Sequence, residues 1–264
     1  MSDQYGGGLV AETIYYHSAK GDWIPAYYAR PVTQSPVPSV IVLHHMPGWD
    51  DWSKEVARKF AYNGYAAIAP HLHYRAAPGA GPDDASAATR NAGGPTDADV
   101  IADTDGAATF LRAQEYTNKK IGVIGFCSGG RHVMLVGCKL NHLDAGVDCW
   151  GGNVVVNDPS ALTPARPVAV FDMLKDLCFP VLGIFGNDDA NPSPEDVNKT
   201  DAELKRLGKS YDFHRYDGAG HGFCATERPG YRQAQAVDSW GKVWDFYAKY
   251  LTTGAREPAL AGVR

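Results

Sequence analysis

Short apolar runs recur along the chain at 39–43 (SVIVL), 65–69 (YAAIA), 121–126 (IGVIGF), 145–149 (AGVDC) and 180–185 (PVLGIF), with a more polar one at 211–216 (YDFHRY). Most have no polar alternation, which predicts strands without a wet face. Between them, 52–63, 97–114, 129–138, 195–207 and 231–251 carry apolar residues at helical spacing. The last aligns Ala236, Trp240, Val243, Trp244, Tyr247 and Leu251 on one stripe. Ahead of these, 11–16 (AETIYY) and 24–30 (IPAYYAR) flank the turn-like SAKGD and predict an antiparallel hairpin. Strands alternating with helices predict an α/β fold, a mainly parallel sheet of about eight strands with helices on both faces. The stretch 76–96 has many small, Pro and Gly residues and no apolar period, so it reads as a long surface loop near the C-terminal edge of a strand, bordering a pocket.

Composition narrows the function classes. The 264 residues include 25 Lys plus Arg against 30 Asp plus Glu, a formal charge of −5. With no basic block, nucleic acid and anionic membranes find no electrostatic footprint. The start lacks the basic and apolar segments of a secretory signal, and no stretch approaches the roughly 18 apolar residues of a membrane span. The expectation is a soluble cytoplasmic protein, one domain over 1–264 with mobile ends near 1–9 and 253–264, monomer or homodimer. Cys127, Cys138, Cys149, Cys178 and Cys224 form no C-x-x-C pair, so they read mostly as buried free thiols.

Cys127 is the exception. In IGVIGFCSGGRH an apolar strand ends at the cysteine and a helix starts at once, with Gly125 two residues before and Gly129 two after. A nucleophile on such a sharp turn needs small neighbours at those positions, and the helix N-terminus beneath favours a thiolate. A core cysteine in a tight turn would give the same local pattern, so the rest of a triad has to decide. After 180–185 comes GNDDANPSP with Asp188 and Asp189; after 211–216 comes DGAGHGF with His221. Nucleophile, acid and histidine thus follow in the order an elbow fold requires, each at the C-terminal end of a strand. His214, within a predicted strand, reads as structural.

These segments, with IPAYYARP, SVIVLHHMPGWD and YRAAPG, resemble in order the landmarks of the dienelactone hydrolase (carboxymethylenebutenolidase) family of α/β-hydrolases. The resemblance implies an α/β-hydrolase fold and ester or lactone hydrolysis through a Cys-His-Asp triad and an acyl-thioester. Its residues here would be Cys127 as nucleophile, His221 as base and Asp189 as acid in preference to Asp188. Met46 and Ser128 would supply the backbone N–H groups of the oxyanion hole, and no cofactor is implied.

Three positions bear on how far the likeness carries. His45 stands where the family has a glutamate that contacts the resting cysteine, so a histidine would modulate the thiol instead. Of the family's two carboxylate-binding arginines, Arg75 matches one and Ala225 stands at the other. Tyr74, Trp49 and Trp150 lie beside predicted strand ends and are candidates for an aromatic substrate wall. His44, His45, His71 and His73 follow early strands, but no paired carboxylates join them, so no metal is expected. LHHMPGWD lacks the glycines of a dinucleotide fingerprint, so nicotinamide and flavin are not expected. Alternatives are a non-lactone esterase, thioesterase or acyl-transfer enzyme with the same triad, and a thiol redox sensor or binding protein on the same fold.

Overall fold

The computed structural model describes residues 8–252. Eight strands form one sheet in the order β1-β2-β4-β3-β5-β6-β7-β8. β1 (Leu9–His17) and β2 (Trp23–Pro31) are the expected antiparallel hairpin, and β2 also pairs antiparallel with β4 (Ala66–Pro70). All other neighbours run parallel: β3 (Val37–Leu43), β4, β5 (Thr117–Phe126), β6 (Ala145–Cys149), β7 (Val181–Gly186) and β8 (Tyr211–Tyr216). The C-terminal ends of β3, β5 and β7 therefore open on the same edge of the sheet, where ligand sites of open parallel sheets form.

The long apolar runs are explained by two dry faces. In β3, Ile41 and Leu43 pack with α3 (Asp97–Ala113) and α4 (Ser128–Gly137), whereas Val40 and Val42 pack with α1 (Asp51–Tyr62) and α6 (Gln233–Leu251). Every residue of β3, β4, β6 and β7 is buried; β8, at the sheet edge, is mostly half-buried, which is why its sequence is the most polar. On α6, Ala236, Val243, Tyr247 and Leu251 are buried and Tyr247 turns its hydroxyl onto the Val123 carbonyl at 2.8 Å, satisfying its polar tip. Side-chain caps start the helices: Asp50 for α1, Thr96 for α3 and Ser193 for α5 (Pro194–Arg206).

The stretch 76–96 departs from its sequence reading. It holds α2 (Pro82–Asn91), with Pro82 in the first turn, acidic Asp83 and Asp84 beside it and Arg90 in the last turn, charges that suit the helix dipole. Its buried stripe is Ala85, Ser86 and Thr89, residues too small and polar for a hydrophobic period to reveal. Ser86 Oγ donates to the Met46 carbonyl at 2.7 Å, so α2 is fastened to the loop after β3. The predicted mobile ends lie outside the described residues, apart from Gly8 and from Leu9, which already opens β1. No described helix is long and apolar enough to cross a membrane.

Candidate active site

Cys127 sits between β5 and α4 with φ 55° and ψ −117°, a backbone conformation that an L residue adopts only when its surroundings impose it. What imposes it is close packing on either side. A Cβ on Gly125 would strike the Gly129 carbonyl oxygen, and a Cβ on Gly129 would strike the carbonyl oxygen of Leu43. These two glycines let the turn close against β3, and the thiol is left partly accessible at the head of α4. The backbone N–H groups of Ser128 and Met46 lie by the cysteine sulfur and favour its ionised form.

Asp189 and His221 arrive from the loops after β7 and β8. Asp188 N–H donates to the Ala219 carbonyl at 3.0 Å, tying one loop to the other. His221 Nδ1 meets Asp189 Oδ2 at 2.8 Å, while Asp189 Oδ1 accepts from Asn191 N–H at 2.9 Å. With Nδ1 engaged, Nε2 is the nitrogen left to face the Cys127 thiol, and the two groups shift each other's ionisation. Of the two adjacent acids, Asp189 is buried and reaches the histidine; Asp188 is exposed.

The electrostatics follow from this chain of contacts. Burial would raise the Cys127 thiol, but the hydrogen bond and charge of His221, with the Ser128 and Met46 amides, outweigh it and bring the pKa down. Burial would lower His221, but Asp189 and Cys127 outweigh it and raise the imidazole to about 10. The two shifts are complementary in direction: His221 favours the ionised thiol and Cys127 favours the protonated imidazole. The other cysteines move the opposite way, Cys138 and Cys224 to about 12 and Cys149 and Cys178 upward as well, each chiefly through burial.

The remaining sequence candidates are distributed differently. His45 Nε2 meets Asp50 Oδ2 at 2.6 Å, and its ring stacks on Trp52. Sequence reasoning missed Asp50, although an Asp just ahead of a helix with Ser53 three residues later is a capping signal. Arg75 lies in a short 3-10 turn, Tyr74–Ala76, where its guanidinium forks onto Asp103 (2.8 Å to each oxygen) and also holds Asp22 at 2.7 Å. That cluster, rather than a free charge for a substrate, is what its geometry provides. Trp150 is a core residue, 2% exposed between Phe126 and Phe223. Trp49 stacks on His71 and donates to the Ala69 carbonyl, and Tyr74 meets the edge of His71. His44, His71 and His73 do converge, yet no group of three or more His, Cys, Asp or Glu among the described residues is arranged to hold a metal ion.

Comparison with known proteins identifies the family. The profile of the dienelactone hydrolase family matches residues 24–251. A Salmonella typhimurium protein named "Putative carboxymethylenebutenolidase" is 34% identical over 247 residues, 92% of this chain and 89% of that protein. A Bradyrhizobium protein named "Probable 2-oxo-3-(5-oxofuran-2-ylidene)propanoate lactonase" is 27% identical over 234 residues, covering 88% of this chain and 91% of the relative. Among solved structures, a "Putative Dienelactone Hydrolase" from Klebsiella pneumoniae superposes with a TM-score of 0.83 at 28% identity, spanning 92% of this chain and all of the other. The chain is thus an α/β-hydrolase of the dienelactone hydrolase family and a carboxylic ester hydrolase.

Proposed function

We propose that the protein hydrolyses a small lactone or ester through Cys127, His221 and Asp189, with an acyl-thioester intermediate. The Cys127 thiolate attacks the carbonyl carbon, and the oxygen that becomes negative is received by the N–H groups of Met46 and Ser128. Collapse breaks the C–O bond, and the His221 imidazolium gives its Nε2 proton to the departing alkoxide. The neutral imidazole then takes a proton from water as the hydroxyl adds to the thioester. Expulsion of the thiolate releases the acid and restores the thiolate–imidazolium pair. Asp189 holds the imidazole in one orientation throughout.

The observation that carries this reading is the His221–Asp189 pair at 2.8 Å beside an elbow cysteine whose thiol, alone among the five, is lowered, with His221 the strongest lowering influence. The lactonase name of the Bradyrhizobium relative supports a ring ester; the engagement of Arg75 by Asp103 and Asp22 supports a substrate without a carboxylate. One panel tests both properties: aryl esters, a neutral butenolide and a dienelactone, each with wild type and Cys127→Ala. The expected outcome is turnover by wild type and loss of at least about a thousandfold in the variant. Unchanged turnover by Cys127→Ala would remove the cysteine from the reaction.

A further inference from the structure

The two amides that reach the Cys127 sulfur are held in different ways. Ser128 is the first residue of α4, and its N–H is aimed by the helix itself. Met46 lies in the irregular segment between β3 and α1, where no regular ladder orients the peptide. Its N–H belongs to the same planar peptide unit as the His45 carbonyl, pointing the opposite way. Whatever holds that carbonyl oxygen therefore aims the hydrogen.

Two donors hold it: Gly48 N–H at 3.0 Å and the His44 ring through Nδ1 at 2.8 Å. At the other side of the His44 ring, Nε2 receives the Leu72 N–H at 3.1 Å. A backbone amide can only donate and a carbonyl can only accept. Nε2 must therefore be unprotonated, and the single proton of the ring must be on Nδ1. The side chain is 1% exposed, and His73 packs edge-on against it at 4.6 Å with His71 at 6.3 Å. Burial first, and then the charge of His73, hold His44 well below the ordinary histidine range, so the neutral tautomer persists. Both nitrogens are satisfied only in this form, which makes the ring a fixed spacer between two backbone groups.

We infer that His44 is a positioning residue of the oxyanion hole, orienting and polarising the His45–Met46 peptide through a one-way relay. Leu72 N–H points to His44 Nε2, His44 Nδ1–H to the His45 oxygen, and Met46 N–H to the substrate oxyanion. The dipoles in this series run in one sense, so each bond strengthens the next as negative charge develops at its end. The inference rests on the cysteine reading above and assigns to that site the element that keeps its loop-borne amide ready.

The test uses His44→Leu, which removes both ring contacts, beside two polar variants. His44→Asn keeps an amide N–H near the Nδ1 position, and His44→Gln moves it toward the Nε2 end. In His44→Leu, kcat on an ester is expected to fall about ten- to a hundredfold with KM within about twofold, because one oxyanion donor is misdirected rather than deleted. His44→Asn should recover most of the loss and His44→Gln should not. Two readouts separate positioning from general damage. The ratio of ester to thionoester turnover, which reports the donors around the developing charge, should collapse in His44→Leu. Alkylation of Cys127 by iodoacetamide builds no oxyanion, so its limiting rate, read at a pH where the thiol is fully ionised in both proteins, should stay at the wild-type value. A wild-type kcat and turnover ratio in His44→Leu would overturn the inference, as would equal recovery by Asn and Gln. If His44→Leu fails to fold, the Asn and Gln variants decide alone. Full ester activity in Cys127→Ala would overturn the underlying reading instead, so the two failures are distinguishable.

Discussion

Two histidine–aspartate pairs stand at the same edge of the sheet, His221–Asp189 at 2.8 Å and His45–Asp50 at 2.6 Å. Their burial is inverted. In the first pair the histidine side chain is 35% exposed and the acid 3%; in the second the histidine is 6% exposed and the acid 30%. The acid of the first pair has one role besides the histidine, accepting the Asn191 N–H; that of the second caps α1 through Ser53 N–H at 2.9 Å and Ser53 Oγ at 2.8 Å. Burial would raise Asp50, but these donors and His45 outweigh it and hold the carboxyl well below the usual range. A base that exchanges protons with substrate needs an open ring and a dry, fixed acid behind it. A pair that fastens a loop to a helix needs the reverse.

The comparison breaks most visibly if the first pair is altered. His221→Ala and Asp189→Asn are expected to lower kcat by about a hundred- to ten-thousandfold, the range for loss of a positioned acid–base group or its orienter. The pH profile of Cys127 alkylation gives the sign. In the wild type the thiol is lowered, so the curve should rise at a pH below the ordinary cysteine value of about 8.5. Removing His221 deletes the largest lowering contact and leaves burial, which raises the thiol, so the half-rise should move above that value. Asp189→Asn should shift it the same way by less, since His221 is then held less firmly in its charged form. An unmoved alkylation curve in both variants would sever the histidine from the thiol.

Much of this was written locally in the sequence. Apolar runs marked the inner strands because both sheet faces are dry, and the glycines around Cys127 marked the elbow because a Cβ there meets a carbonyl. Cys127, Asp189 and His221 each follow a strand, β5, β7 and β8, and strands that run parallel bring such positions to one edge of the sheet. What escaped was set by partners distant in sequence or by side chains without an apolar signature. α2 hides its stripe in Ala85, Ser86 and Thr89, and Arg75 faces Asp103 and Asp22 across 28 and 53 residues of chain. The resemblance to its family implied a substrate role for Arg75 from a matching motif, but motif identity does not reveal which carboxylates fold beside it.

Arg75 sharpens the comparison as a second loop anchor. Asp103 is 1% exposed at its side chain and takes both terminal nitrogens of the guanidinium. Arg75→Met would leave that carboxylate buried without its fork, at a cost of about 2–3 kcal/mol, somewhat below a fully buried pair because Arg75 itself is partly exposed. Denaturant unfolding should register this loss while KM for a carboxylated lactone stays within about twofold. A KM rise of tenfold or more with unchanged stability would return Arg75 to the substrate.

The smallest effect is expected where the second pair is altered. Asp50→Asn keeps an oxygen for Ser53 or His45 and removes the charge, and asparagine is itself a good helix cap. With Asp50 partly exposed, the loss should be about 1 kcal/mol or less, a shift of roughly 2–4 °C in Tm for a protein of this size. Because His45 is also held by its stack on Trp52, and its carbonyl by His44 and Gly48, kcat should change by no more than about threefold. Equal falls in kcat for Asp50→Asn and Asp189→Asn would mean that both pairs act on the reaction, and the inverted burial would then carry no functional distinction. A large stability loss with normal turnover would instead show that the second pair anchors the loop more strongly than its exposure suggests.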